Sequence, residues 1–109
     1  MNNLTRKALI VVDVQRGFMT GGNLATPLPG QNLPAAEHIL PFINDRLAND
    51  GYAHRVLTQD FHPDNHCSFA VNLGVTPYTL TKTPQGRTQM AWPVHCVSGT
   101  EDAEFHPGL

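Results

Sequence analysis

Residues 8–12 of the chain, Ala-Leu-Ile-Val-Val, form a continuous apolar run that ends in Asp13. β-Branched residues dominate this run, and an uninterrupted stretch of this kind is typical of a strand buried on both faces, as in parallel sheets. Parallel strands need connecting segments, usually helices, that cross over the sheet and cover it. We therefore expect a strand over residues 8–12 within an α/β fold.

A helix is expected after the loop that follows this strand. Asn32 or Pro34 supplies a start signal, and apolar residues three and four apart then form one stripe. The stripe consists of Ala36, Ile39, Leu40, Ile43 and Leu47. Pro41 lies inside the stripe and either kinks the helix or marks its true first turn. Gly51 is expected to end the helix in the left-handed conformation.

A second strand is expected over His54–Asp60, with Val56 and Leu57 as its core. Strand, helix and strand of these lengths predict a right-handed βαβ unit with parallel strands. Two strands fall short of an ordinary sheet, which has about 5–6. Residues 61–109, called the tail below, hold five prolines and four glycines and show no sustained period. The tail is therefore expected to lack the missing strands, and either to be pinned, for example by a metal, or to belong to a larger fold.

Length and charge narrow the class of protein. The chain has 109 residues and a net charge of −2, so it forms one small domain at most and gives no electrostatic support to nucleic-acid binding. No stretch approaches the roughly 20 apolar residues of a membrane span. The beginning of the chain has no signal-peptide pattern, so we expect a cytoplasmic protein.

The spacing of Asp60 and His62 predicts a metal site. Residues two apart at the end of a strand point to the same face, so a carboxylate and an imidazole lie side by side. His66 is within reach if the intervening segment turns, and His95 could complete the set from another loop. Such a set suits Zn²⁺, Mn²⁺ or Fe²⁺. The alternative is that Asp60 caps the next turn and His62 lies on the surface.

Asp13 is a second candidate, because it stands at the carboxyl end of a predicted parallel strand. Open α/β sheets bind their ligands at that edge. A carboxylate there could accept a proton from a nucleophile. The alternative is an aspartate that caps the following turn by accepting backbone N–H groups.

The segment WPVHCVSGT places His95 next to Cys96. A thiol and an imidazole suggest a nucleophile with its base, but adjacent side chains seldom face each other, so His95 as a metal ligand is the stronger of these two hypotheses. On this segment alone, an ordinary loop with proline and glycine and no chemical role is favoured over both. Trp92 and Phe18 could stack on a flat ring or cover the core. Cys67 and Cys96 are expected to be free thiols in a reducing compartment.

Four segments together resemble the nicotinamidase branch of the isochorismatase-like cysteine hydrolases. In chain order they are ALIVVDVQRGF (8–18), TQDFHPDNHCSFA (58–70), WPVHCVSGT (92–100) and EFHPGL (104–109). The string D-x-H-P-x-x-H combined with W-P-x-H-C-V-x-G-T makes the resemblance specific. It implies an incomplete three-layer α/β/α fold with a parallel sheet, in which residues 1–109 are the N-terminal part of a single domain.

The resemblance also implies roles for individual residues. It implies one divalent metal ion, with Zn²⁺ favoured over Mn²⁺ or Fe²⁺, whose ligands are Asp60, His62 and His95. Asp13 matches the aspartate of the catalytic triad, and Phe18 and Trp92 match aromatic walls that hold a pyridine ring. His66 matches a position that is a ligand in some members and a neighbour of the site in others, so it stays unassigned.

The implied activity is hydrolysis of nicotinamide to nicotinic acid and ammonia through a cysteine thioester, as a step of NAD salvage. In that family the nucleophilic cysteine and the triad lysine follow the W-P-x-H-C segment, and Cys67, Cys96 and Lys82 do not match them. We therefore expect these 109 residues to be inactive alone. The expected partner is a small molecule, not a membrane or nucleic acid, and a homo-oligomer is left open. The alternatives are another small substrate, or a non-catalytic metal-binding remnant.

Overall fold

The computed structural model describes residues 6–109, so residues 1–5 of the expected domain lie outside the described part. Strand β1 (Ala8–Val11) leads through a long loop to helix α1 (Leu40–Ala48) and then to strand β2 (His54–Leu57). β1 and β2 are parallel, in a register that pairs Ala8 with His54 and Val11 with Leu57. The predicted βαβ unit is confirmed, although β2 is shorter than expected.

Helix α1 begins and ends differently from the expectation. A 3-10 turn over Ala36–Ile39 precedes it, and Pro41 lies in its first turn, where the missing N–H costs nothing. Pro41 therefore marks the start of the helix and does not kink it. The prediction that Gly51 caps the helix was wrong. The helix ends at Ala48, where the chain becomes extended at Asn49, whose side-chain oxygen then accepts the Gly51 N–H.

The apolar run of β1 is covered on one face only, as expected for a two-stranded sheet, although such a run is typical of a strand buried on both faces. Val11 is buried and Leu9 is partly buried, because the apolar stripe of α1 packs against them. On the opposite face Ile10 is 60% exposed and Val12 is 65% exposed. A single helix covers a single face, and no element among residues 6–109 covers the other.

The tail contains short elements that the sequence analysis missed. Helix α2 (Ala70–Leu73) is one turn, and strands β3 (Leu80–Lys82) and β4 (Thr88–Met90) form an antiparallel hairpin. Each strand has three residues, too few to show an alternating pattern, which explains the miss. As expected, no strand of the described tail joins the parallel sheet, since the hairpin is a separate sheet.

Backbone hydrogen bonds attach the end of the tail to the loop that follows β1. Arg16 donates its N–H to the Glu104 carbonyl at 2.8 Å, and His106 donates to the Val14 carbonyl at 3.0 Å. Another pair joins His62 to the loop of residues 95–98, with N···O distances of 2.9 and 2.8 Å. These contacts bring the end of the tail beside the carboxyl ends of β1 and β2. No helix in residues 6–109 is long and apolar enough to cross a membrane.

Candidate functional site

Asp60, His62 and His95 form one cluster, called the trio below. Oδ1 of Asp60 lies 2.9 Å from Nε2 of His62, and Oδ2 lies 3.4 Å from Nε2 of His95. The three ligand atoms all lie within 4.8 Å of one another. Asp60 and His62 lie in the segment that directly follows β2, whereas His95 lies 33 residues further along the chain, where it is buried. The structure therefore brings together the three residues that the sequence analysis selected.

The hydrogen bond of His95 suits it to bind a cation. Its Nδ1 lies 2.7 Å from the carbonyl oxygen of Pro93, and because a carbonyl only accepts, Nδ1 carries the proton. The lone pair of the neutral ring is then on Nε2, which faces Asp60. A backbone carbonyl behind the ring is the usual partner of a metal-ligating histidine. Two imidazole nitrogens and one carboxylate thus fit Zn²⁺, Mn²⁺ or Fe²⁺.

His66 lies beside the trio but differs from it in its hydrogen bonds. Its ring centre is 4.2 Å from that of His62, and burial, followed by the charge of His62, lowers the pKa of His66. Nδ1 accepts the backbone N–H of Ser68 at 3.2 Å, so the neutral ring carries its proton on Nε2. His66 in this state offers an N–H and no free lone pair, and it lies outside the trio.

Phe69 forms an apolar support for the trio that the sequence analysis missed. Its side chain is fully buried, and its ring lies 5.5 Å from His62 and 5.4 Å from His95 in edge-to-face contacts. The available signal was a large aromatic residue three positions after His66, inside the same motif. Phe69 limits how far the two imidazoles can turn.

Asp13 lies at the carboxyl end of β1, as predicted, and its carboxylate is bonded to Thr58, not to the turn that follows it as in the alternative interpretation. The hydroxyl of Thr58 donates to Oδ1 of Asp13 at 2.6 Å, and the Asp13 N–H donates to the same hydroxyl at 3.1 Å. The carboxylate is therefore oriented across the two parallel strands. It is half-buried and adopts a left-handed backbone conformation, with φ of 54°.

The two candidate aromatic residues occupy different places. Phe18 lies next to the trio, with its ring 5.9 Å from that of His95. Trp92 makes an edge-to-face contact with Tyr78 at 6.0 Å, and its backbone pairs with that of Phe69. Phe18 thus borders the trio directly, whereas Trp92 borders the apolar support.

Cys96 is ill suited to be a nucleophile. Its side chain is fully buried, and burial, followed by the charge of Asp102, raises the pKa of the thiol to about 12. Asp102 also accepts the Cys96 backbone N–H at 2.7 Å and the Asn23 N–H at 3.0 Å. Asp102 therefore joins three loops next to His95, a role that no motif indicated. Cys67 is exposed, and both cysteines are free thiols, as expected.

Lys82 lies in the hairpin, where its ammonium group donates to the hydroxyl of Thr88 at 3.1 Å. Lys7 directly precedes β1, at the opposite end of the strand from Asp13. Neither lysine is therefore in contact with the Asp13 carboxylate.

A parallel βαβ unit with an acid at the carboxyl end of β1, and a trio beside it, defines part of an isochorismatase-like α/β fold. The comparisons with known proteins agree. The nicotinamidase of Acinetobacter baylyi is 47% identical over 110 residues, which cover 100% of this chain and 47% of that protein. The nicotinamidase/pyrazinamidase of Mycobacterium tuberculosis is 41% identical, covering 94% of this chain and 45% of that protein. By sequence and by fold the chain is a relative of the nicotinamidases.

Solved structures show the same relationship. A nicotinamidase/pyrazinamidase of Acinetobacter baumanii superposes with a TM-score of 0.77 at 48% identity, covering 94% of this chain and 45% of that one. The pyrazinamidase of Pyrococcus horikoshii, solved in complex with zinc, superposes with a TM-score of 0.61 at 38% identity, covering 90% of this chain and 43% of that one. The chain thus spans about half the length of the relatives it matches. A scan against models of protein families finds no match.

Proposed function

We propose that this chain supplies the metal-binding and acid-bearing part of a nicotinamidase, which hydrolyses nicotinamide to nicotinic acid and ammonia. The observation that carries the proposal is the trio, with one carboxylate and two imidazoles within 4.8 Å, on a chain 47% identical to a nicotinamidase. The reaction would return nicotinic acid to NAD synthesis in the cytoplasm.

Asp60, His62 and His95 would hold one divalent ion in this proposal. Zinc is favoured, because a relative at 38% identity was solved with zinc and the donor set suits it. When bound, the ion would supply Lewis-acid chemistry that helps to orient the substrate ring and its carboxamide. Phe18, next to His95, and Trp92 would bind the faces of the ring.

Asp13 would act as the general base and acid. It takes the proton from a cysteine thiol, and the resulting thiolate forms a bond to the carboxamide carbon. The C–N bond then breaks, and Asp13 gives the proton to the leaving ammonia. Water afterwards cleaves the thioester to nicotinic acid and regenerates the thiol. The hydrogen bond from Thr58 orients the Asp13 carboxylate for these transfers.

The nucleophilic cysteine and the triad lysine would be supplied by polypeptide that follows Leu109, within the same domain. Three observations support this part of the proposal. The Cys96 thiol is buried with a pKa of about 12, and Lys82 is bound within the hairpin. The chain also spans about half of its nicotinamidase relatives, which leaves room for both residues.

The decisive experiment compares the 109-residue chain with a version extended by the remaining half of the Acinetobacter baylyi relative. Both proteins are loaded with zinc, and nicotinic acid is quantified by chromatography. We expect zinc binding by both, and turnover by the extended protein only. In the extended protein, Asp13→Asn should reduce turnover by at least about a hundredfold, given the usual contribution of acid–base groups. His38→Ala, which changes an exposed histidine outside the trio, is the matched control.

Turnover by the 109-residue chain itself would contradict the proposed division of the active site. Zinc binding by both proteins without turnover by either would favour the second candidate, a non-catalytic metal-binding protein. The buried Cys96 thiol is the observation that supports this second candidate, because its burial and raised pKa make the cysteine next to His95 unsuitable as a nucleophile.

A further inference from the structure

The hydrogen-bond ladder between β1 and β2 stops just before the trio. Its last steps join the Thr58 N–H to the Val11 carbonyl at 2.9 Å and the Asp13 N–H to the Thr58 carbonyl at 3.3 Å. The left-handed backbone of Asp13 then turns the first chain away from the second. Asp60 lies two residues beyond Thr58, so the ladder itself does not hold it.

Beyond the end of the ladder, the side chain of Gln15 forms the hydrogen bonds to the second chain segment. Its Oε1 accepts the Asp60 N–H at 2.8 Å, and its Nε2 donates to the Asp60 carbonyl at 2.8 Å. The same Nε2 donates to the Ala103 carbonyl at 2.8 Å. The Gln15 residue is 0% exposed, and both its amide oxygen and its amide nitrogen are bonded. The side-chain amide thus pairs with Asp60 as a neighbouring strand would.

We propose that Gln15 is a positioning residue for the carboxylate of Asp60. The amide holds the N–H and the carbonyl on both sides of the Asp60 Cα, so it fixes the direction in which that side chain leaves the backbone. The two carboxylate oxygens then point to different imidazoles, at 2.9 and 3.4 Å. The third bond, to Ala103, ties this arrangement to the tail. The inference rests on the proposed function, in which Asp60 is a metal ligand.

Gln59 provides a matched control for Gln15. Its Nε2 donates to the same Ala103 carbonyl at 2.6 Å, but its amide makes no bond to Asp60. Gln59 is also exposed, whereas Gln15 is buried. Gln15→Met and Gln59→Met each replace an amide by an apolar group of similar length. Only Gln15→Met removes the bonds that hold Asp60.

The test measures the zinc dissociation constant of the full chain and of both variants by competition with a chromophoric chelator. We expect Gln15→Met to weaken binding by about 10–100-fold, as the loss of a partner behind a metal ligand does. Gln59→Met should change the constant less than about threefold. Urea unfolding without metal gives the folded fraction of each variant, so the constants refer to folded protein. A Gln15→Met constant within threefold of the wild type overturns the inference.

A spectroscopic measurement separates positioning from a loss of stability. Co²⁺ bound to the trio has visible absorption bands that depend on the coordination geometry. Gln15→Met should change their intensity and position, whereas Gln59→Met should leave them unchanged. If Gln15→Met does not fold, Gln15→Glu keeps the size and the acceptor, removes the donor and should change the bands likewise. Unchanged absorption bands in the folded variant would overturn the role of Gln15 but leave the proposed function standing. Failure of the wild type to bind either metal would overturn both.

Discussion

The βαβ unit and the tail are held together by different kinds of interaction. In the βαβ unit, the apolar stripe of α1 packs on β1, and parallel hydrogen bonds join β1 to β2. In the tail, short elements are held by hydrogen bonds to distant parts of the chain, such as those of Asp102 and of the Cys96 carbonyl. Asp60 and His62 lie where the two regions meet, directly after β2, and His95 lies further along the tail. Metal binding therefore depends on how the tail docks as well as on the sheet.

Of the substitutions considered below, removal of the His95 imidazole should have the largest effect, because it should weaken zinc binding and remove stability gained from the metal. His95→Ala deletes the only member of the trio that the end of the tail contributes, so we expect zinc affinity to fall at least about a hundredfold. At free zinc about 1,000 times the wild-type dissociation constant, the wild type gains about 4 kcal/mol of stability from the metal, and a hundredfold weaker variant should lose about 2.7 kcal/mol of that gain. Calorimetric titration and thermal unfolding with and without a chelator measure both effects, and His38→Ala should behave as wild type.

Phe69→Ala tests whether the tail has an apolar core of its own. The fully buried ring contacts both histidines of the trio, so its removal should lower the free energy of unfolding by about 3–5 kcal/mol. Val71→Ala, in the same short helix but 71% exposed, should change it by less than about 0.5 kcal/mol. Urea titration of the metal-free variants provides the values. Equal effects of the two substitutions would show that the tail is not packed around Phe69.

Asp102→Ala tests the hydrogen bonds that hold the tail. It leaves the N–H groups of Cys96 and Asn23 without their acceptor, which should cost about 1–3 kcal/mol in the free energy of unfolding. Glu101→Ala, at the exposed neighbouring position, is the control and should be near neutral. A loss no larger than that of the control would mean that Asp102 does not anchor these loops.

The smallest expected effect is a difference in thiol reactivity. At pH 8 in the metal-free protein, iodoacetamide should alkylate the exposed Cys67, because its thiol is accessible to the reagent. Cys96 should react only after unfolding, because its thiol is buried and its pKa of about 12 keeps it protonated. Mass spectrometry of peptides from native and urea-treated samples measures both rates. Equal alkylation in the native state would contradict the burial of Cys96.

The difference between the regions also explains what the sequence could predict. The βαβ unit follows from local patterns, an apolar run and a stripe spaced three and four residues apart. The two-residue spacing of a strand predicted the pairing of Asp60 with His62. Because β2 ends at Leu57, however, Gln15 and the loop of residues 95–98 hold these two residues, and the strand does not. The residue types made His95 a candidate ligand, but its placement could not be derived from spacing, because hydrogen bonds between distant residues bring it there; only the family resemblance implied that it belongs to the metal site.

The wrong predictions share one physical reason, which is that local signals do not report tertiary neighbours. Gly51 has the residue type of a helix cap, but the helix had ended at Ala48. The hairpin strands were too short to show a period. Gln15 and Asp102 are polar residues whose partners lie 45 to 88 and 6 to 79 positions away, which no local pattern encodes.

The orientation of His95 depends on a main-chain oxygen, that of Pro93. A point mutation can replace any side chain but leaves a carbonyl at every position, so this acceptor cannot be deleted by genetic change. Substitutions at residue 93 can disturb the imidazole only by shifting the course of the loop. Mutations should therefore disturb the orientation of the His95 imidazole mainly by moving the loop, through changes in residues that pack against it. They cannot do so by removing the Pro93 carbonyl that accepts its hydrogen bond.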